Sequence, residues 1–141
     1  DWIEEFDLPY ITLDHDHSSG TYLRFTTDNI SKLIPKRDAN DGGWRSGHAY
    51  YYEIKTDSSG WTRVNLAFNS DDTSEEQKAG QKKIMDVLNK YPGKETWIWF
   101  NPIGWTLDYD EGDEILKDDL LKVLEEKIPL FETEINESSD D

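Results

Sequence analysis

His48-Ala49-Tyr50-Tyr51-Tyr52-Glu53-Ile54-Lys55-Thr56, then Asp57-Ser58-Ser59-Gly60, then Trp61-Thr62-Arg63-Val64-Asn65-Leu66-Ala67-Phe68-Asn69: these residues decide the fold. Both flanks are rich in aromatic and β-branched residues, and the four residues between them are turn formers ending in glycine. Side chains alternate across a strand. In 61–69, Val64, Leu66 and Phe68 therefore share one face, and Arg63, Asn65 and Ala67 the other. In 48–56, Tyr50, Tyr52 and Ile54 share one face, and Tyr51, Glu53 and Lys55 the other. Two such strands joined by so short a loop predict an antiparallel hairpin.

Upstream, 21–27 (TYLRFTT) alternates in the same way and reads as another strand. Asp28 is placed as the N-cap of a short helix over 29–33, which Pro35 ends by restricting Ile34. Downstream, Thr73-Ser74-Glu75-Glu76 reads as a capping box with Thr73 as N-cap. The helix it opens extends to about Lys90. Ile84, Val87, Leu88 and Tyr91 fall at i, i+3, i+4 and i+7 as its buried stripe, and Pro92-Gly93 ends it. Thr96-Trp97-Ile98-Trp99-Phe100 is an apolar run, read as a strand covered on both faces and broken by 102–105. A second long helix starts at Gly112 or Asp113 and ends near Lys127. Its seam is Leu116, Leu120, Leu124 and Ile128, supported by Leu121 and Val123. The order strand, short helix, hairpin, helix, strand, helix predicts an α+β fold. It is an antiparallel sheet of about four strands, with two long helices and one short helix packed on it. Residues 1–20 are expected to be a linker or docking segment, 21–132 a single domain, and 133–141 an acidic flexible tail.

A chain of 141 residues fits one domain with a genuine core. Charged residues make up 33% and aromatics 13%, a globular rather than a disordered composition. No apolar run approaches the length of a membrane span. Without cysteine, the chain has no disulfide scaffold, thiolate zinc site or cysteine nucleophile. The net charge of −16 is unevenly placed. Residues 1–20 hold six acids and no Lys or Arg; 21–107 hold eleven acids and twelve bases; 108–141 hold fourteen acids and three bases. The middle is balanced and the ends carry the acid, so the whole chain repels nucleic acid at long range while its middle need not.

Several groups invite a chemical reading. Glu53-Ile54-Lys55 on an apolar strand has the form of a metal-dependent nuclease motif, with a carboxylate to hold Mg²⁺ and an ammonium to stabilise charge. Its partner Asp is missing, because Asp41 lies in a Gly-rich loop. The plain alternative is an outward Glu and Lys on a hairpin. Asp14-His15-Asp16-His17 places His15 and His17 on one side of an extended segment, where they would grip a transition metal, with His48 or an acid as third ligand. A solvated polar loop is the competing reading. Asp108, Asp110, Glu111 and Asp113 alternate like a calcium loop but lack its closing bidentate Glu, and fit a solvated helix approach better. Lys78, Lys82 and Lys83 mark a solvent-facing helix side. There is no phosphate-binding glycine loop and no nucleophile elbow, and no motif asks for a cofactor. Trp97, Trp99 and Tyr52 are expected in the core. Trp44 lies in a Gly-rich loop beside Arg45, and with Arg24 and Arg63 these are the residues chosen for contact with a partner.

Tyr22-Leu23-Arg24-Phe25, Leu33-Ile34-Pro35, Gly42-Gly43-Trp44 and the aromatic strand Tyr50-Tyr51-Tyr52-Glu53-Ile54 form a series. The series resembles the region that follows the nuclease domain in bacterial proteins of the PD-(D/E)XK nuclease superfamily. The resemblance covers residues 20–132. In that region the aromatic strand needs no Lys after it. The resemblance implies a non-catalytic accessory domain for recognition, regulation or docking, belonging to a cytoplasmic protein whose nuclease domain lies upstream. The implied partners are that domain or another protein, with nucleic acid as a further class and no membrane. Two other functions stand beside it. One is a free-standing acidic protein that mimics nucleic acid and binds a basic partner. The other is a metal-dependent enzyme using Glu53 and Lys55, or the Asp14-to-His17 cluster.

Overall fold

A computed structural model of the chain describes residues 8–14, 22–38, 44, 46–56, 62–71, 73–94, 96–107 and 113–139. In chain order the elements are β1 (Ile11–Leu13), β2 (Tyr22–Thr27), α1 (Asp28–Leu33), β3 (Tyr50–Thr56), β4 (Thr62–Asn69), α2 (Glu75–Leu88) and β5 (Trp99–Leu107). They are followed by α3 (Asp113–Lys122), a π-helical turn (Val123–Lys127) and α4 (Ile128–Ser139). The five strands form one antiparallel sheet in the order β1-β2-β3-β4-β5. The α+β class is as the sequence predicts. The additional strand is β1, which comes from the segment read as a linker and pairs Thr12 with Thr26 of β2.

The β3–β4 hairpin has the predicted faces. Tyr50 pairs with Phe68, Tyr52 with Leu66 and Ile54 with Val64, all on one side. Phe25 of β2 joins them opposite Tyr52, with the rings stacked 5.2 Å apart. This face meets Ile30 of α1, Ile84 and Met85 of α2, and Leu120, Val123, Leu124, Ile128, Phe131 and Ile135 of the long C-terminal helical run, forming the main core. The described helical side chains in a core all pack on this one face. The other face carries a second, smaller cluster of Trp44, Tyr51 and Ala67.

The helix starts lie one residue from their expected places. Thr27, not Asp28, caps α1, its side chain accepting from the Ile30 N–H. Ser74, not Thr73, caps α2 in a reciprocal capping box with Gln77. The helix α2 ends at Asn89, which takes the left-handed conformation that a C-terminal cap uses. Its buried stripe is Gln77, Gly80, Gln81, Ile84 and Met85, whereas Val87 and Tyr91 are exposed. The apolar count misplaced the stripe because two of its positions are glutamines.

Two further expectations are corrected. The apolar run at 96–100 is not a central strand. Instead β5 starts at Trp99, runs through Pro102 to Leu107 and lies at the edge of the sheet. An edge strand tolerates proline, because its outer N–H groups have no ladder partner to lose. The C-terminal helix does not stop at Lys127 but continues to Ser139, so most of the segment read as a tail is helical. Pro129 lies inside this run. A proline ring collides with the carbonyl four residues back, and the π turn just before it widens the helix there, with the Ile128 N–H reaching the Val123 carbonyl. No helix among the described residues is long and apolar enough to cross a membrane.

Candidate functional site

The face of the sheet without helices is built by cross-strand rows. Arg24 on β2 stands opposite Glu53 on β3, Glu53 opposite Asn65 on β4, and Asn65 opposite Gly104 on β5. The next row is Tyr22, Lys55, Arg63 and Thr106. Arg24 Nε donates to Glu53 Oε2 at 2.7 Å, with both side chains mostly covered. The Arg24 guanidinium and the Lys55 ammonium both lie over the Tyr22 ring, at 5.0 and 5.4 Å from its centre. Arg63 is held by neutral acceptors: Nε donates to Asn65 Oδ1 at 2.5 Å and Nη1 to Thr106 Oγ1 at 3.2 Å. Gly104 makes room for it, since a Cβ there would lie 2.9 Å from Arg63 Nη2 and 3.0 Å from Nε.

At the other end of this face, aromatics replace charges. Trp44 packs edge-on against Tyr51 at 4.8 Å and against Trp99 at 5.2 Å. Trp44 is 7% exposed and Trp99 59%. The Tyr51 hydroxyl donates to the Asp14 carboxylate and meets Ser46 Oγ at 2.8 Å. Burial and the neighbouring Asp14 carboxylate push this phenol well above its usual range.

The helix-covered face hides a second polar group of residues. Glu132 of α4 is 1% exposed. It accepts from Thr27 Oγ1 at 2.7 Å, from the Tyr52 hydroxyl at 2.8 Å and from Asn29 Nδ2 at 3.4 Å. Burial raises its carboxyl above the usual value, more than these hydrogen bonds lower it. Tyr50, beside it, donates to the Thr27 carbonyl at 3.0 Å and meets Ser31 Oγ at 2.7 Å. Desolvation pushes its phenol up to about 12. The Tyr10 hydroxyl is buried with no hydrogen-bond partner among the described residues, and burial and Glu132 drive it far upward.

The sequence-chosen residues scatter over this frame. Arg24, Glu53, Lys55 and Arg63 share the helix-free face. Trp44 is at its far end, packed rather than displayed. Of the tryptophans, Trp97 is half-buried against the core and Trp99 is mostly exposed, which corrects the expectation that both are core; Tyr52 is fully buried. His48 sits against the Tyr50 and Tyr51 rings. His15, His17, Asp16, Asp41, Arg45, Asp108, Asp110 and Glu111 lie outside the described residues. Among the described residues no group of three or more His, Asp or Glu is placed to hold a metal ion. Glu132, Asn65 and Gly104 were not picked out from sequence. Glu132 looks like one more acid in an acid-rich segment, though it falls between Phe131 and Ile135 on the buried side of α4. No family model matches the chain, and neither a curated protein nor a solved structure matches it.

Proposed function

We propose that this chain is a non-catalytic recognition and docking domain, of the kind that follows the nuclease domain in bacterial PD-(D/E)XK superfamily proteins. The motifs at 22–25, 33–35, 42–44 and 50–54 support the family. One observation carries the non-catalytic half of the reading: Glu53, the carboxylate a metal-dependent site would need, is engaged by Arg24 at 2.7 Å. A metal ligand must offer its oxygens to the ion, and here a guanidinium already occupies one of them. The helix-free face, with its cations on one side and the Trp44–Trp99 pair on the other, is the contact surface in this reading.

The test is a tryptophan-fluorescence titration with single- and double-stranded DNA and RNA at two salt concentrations, with Trp99 as the exposed reporter. Salt-sensitive quenching by one of the four polymers is expected, because contacts to phosphate release counterions. A flat titration for all four at micromolar concentrations removes nucleic acid and leaves a protein partner. Incubation of the same polymers with Mg²⁺ checks the other half. Cleavage that disappears in Glu53→Ala would overturn the non-catalytic reading.

A further inference from the structure

A groove runs beside the edge strand β5. It has a volume of about 570 Å³, within the range of small-molecule clefts. Five consecutive β5 residues, Phe100 to Gly104, line it. Arg63 of β4 lines it too, as do Asn89, Lys90 and Tyr91, just past the end of α2. Its cations are Arg63 and Lys90. Among the described residues neither has a carboxylate at ion-pair distance. The nearby Asp86 is engaged by Lys82 at 2.9 Å and by the Tyr91 hydroxyl at 2.7 Å. Arg63 is fixed in place by two neutral oxygens and seated over a glycine, so it is oriented without a paired carboxylate among the described residues. In a chain of net charge −16 that is an unusual use of a guanidinium.

We propose that this groove binds the phosphate of a nucleoside monophosphate unit, with the base against Tyr91 and Phe100. The positioned guanidinium suits a phosphate, which accepts from its remaining N–H groups. Asn89 and Asn101 among the lining residues carry neutral hydrogen-bonding amides, and Tyr91 and Phe100 bring aromatic side chains of the kind bases stack on. A strand added to the outer edge of β5, which pairs with no further strand among the described residues, fits less well, because Pro102 removes a donor there. This inference does not depend on the link to a nuclease, and it fails separately from it.

The experiment follows backbone amide shifts of the whole chain by NMR while it is titrated with adenosine 5′-monophosphate, adenosine and inorganic phosphate. The monophosphate is expected to shift Asn101, Gly104 and Tyr91 saturably at millimolar concentrations, and to bind about tenfold more tightly than adenosine, the effect of a charge-assisted contact. Arg63→Gln should weaken it by about tenfold as well. If Arg63→Gln loses the dispersed spectrum, Lys90→Gln, at an exposed position, decides in its place. Lys83→Gln, exposed on α2 away from the groove, should change nothing. Equal binding of monophosphate and adenosine, or no shift at the groove amides, would overturn the proposal, as would binding indifferent to both Arg63→Gln and Lys90→Gln. A short oligonucleotide with and without a 5′-phosphate separates the two sources of the group. Tighter binding of the phosphorylated oligonucleotide than of the mononucleotide assigns a strand end, and no gain assigns a free nucleotide.

Discussion

At the scale of single residues, Trp44 shows how packing and polarity conflict. Its ring fills the space between Tyr51, Ala67 and Trp99, yet its indole N–H is buried with no acceptor among the described residues. A buried donor left unmade costs about 1–3 kcal/mol, while the lost ring of a buried aromatic costs about 3–5 kcal/mol on truncation to alanine. Trp44→Phe keeps most of the ring and removes the orphan donor. Its stability, from urea unfolding followed by circular dichroism, is expected within about 1 kcal/mol of the parent, while Trp44→Ala loses about 3 kcal/mol or more. Equal losses in both variants would mean that the N–H matters after all. Trp44 was legible as unusual, because a tryptophan in a glycine-rich loop needs a reason. Its burial was not, because nothing local to 42–47 says that Tyr51 and Ala67 lie opposite. Trp99 is the converse. A run of aromatic and apolar residues reads as core, and only the strand order shows that 99 is on the edge strand.

At the scale of elements, the faces of β3 and β4 could be read directly, since a period of two leaves only one assignment once the hairpin is recognised. Helix α2 could not. Gln77 and Gln81 hold the buried positions and spend their side-chain N–H groups on backbone carbonyls of other segments: Pro35 and Gly47 for Gln77, Ala49 and Asn69 for Gln81. Such a helix is tied down by hydrogen bonds as well as by apolar burial, and a count of apolar residues undervalues it. Between the two glutamines lies Gly80, where α2 meets the end of α1. A Cβ at 80 would lie 2.7 Å from the Leu33 carbonyl carbon and 2.8 Å from Ile34 Cγ1, and would press on the Leu33 carbonyl oxygen. Alanine favours a helix over glycine by about 1 kcal/mol, so propensity alone makes Gly80→Ala stabilising. The contact with backbone opposes this, and overpacking of that kind costs about 1–3 kcal/mol and more where the backbone must move. Gly80→Ala is therefore expected to lower stability by about 2 kcal/mol in urea unfolding. A gain in stability would mean that α1 can retreat from α2.

At the scale of the whole molecule, Glu132 joins what the sequence keeps apart. One carboxyl on α4 accepts from Thr27 on β2, Tyr52 on β3 and Asn29 on α1. These partners lie 105, 80 and 103 residues away in sequence, beyond the reach of any periodicity. The same carboxyl faces Tyr10 and Tyr50, with Asp28 and Glu125 near enough to act on this group of residues electrostatically. Burial raises its pKa above the ordinary 4.5, so between the unfolded and folded values the folded state binds its proton more tightly than the unfolded chain does. With more protons bound in the folded state, stability falls as pH rises. Glu132 therefore contributes most below about pH 4.5, and that contribution is lost as pH climbs from there through its raised folded value, at no more than about 1.4 kcal/mol per pH unit. The other thirty acids also titrate, and at net charge −16 their mutual repulsion grows over the same range. The comparison that isolates Glu132 is with Glu132→Gln, which keeps the shape and an accepting oxygen but cannot ionise. Unfolding free energies of the two proteins, measured from pH 4 to pH 8, are expected to diverge with rising pH in favour of the glutamine variant, whose curve lacks this one titration. Parallel curves would show that the carboxyl titrates alike in both states. A glutamine variant that grew weaker relative to the parent as pH rose would show the folded state preferring the ionised form, with the hydrogen bonds from Thr27, Tyr52 and Asn29 outweighing the cost of burying the charge.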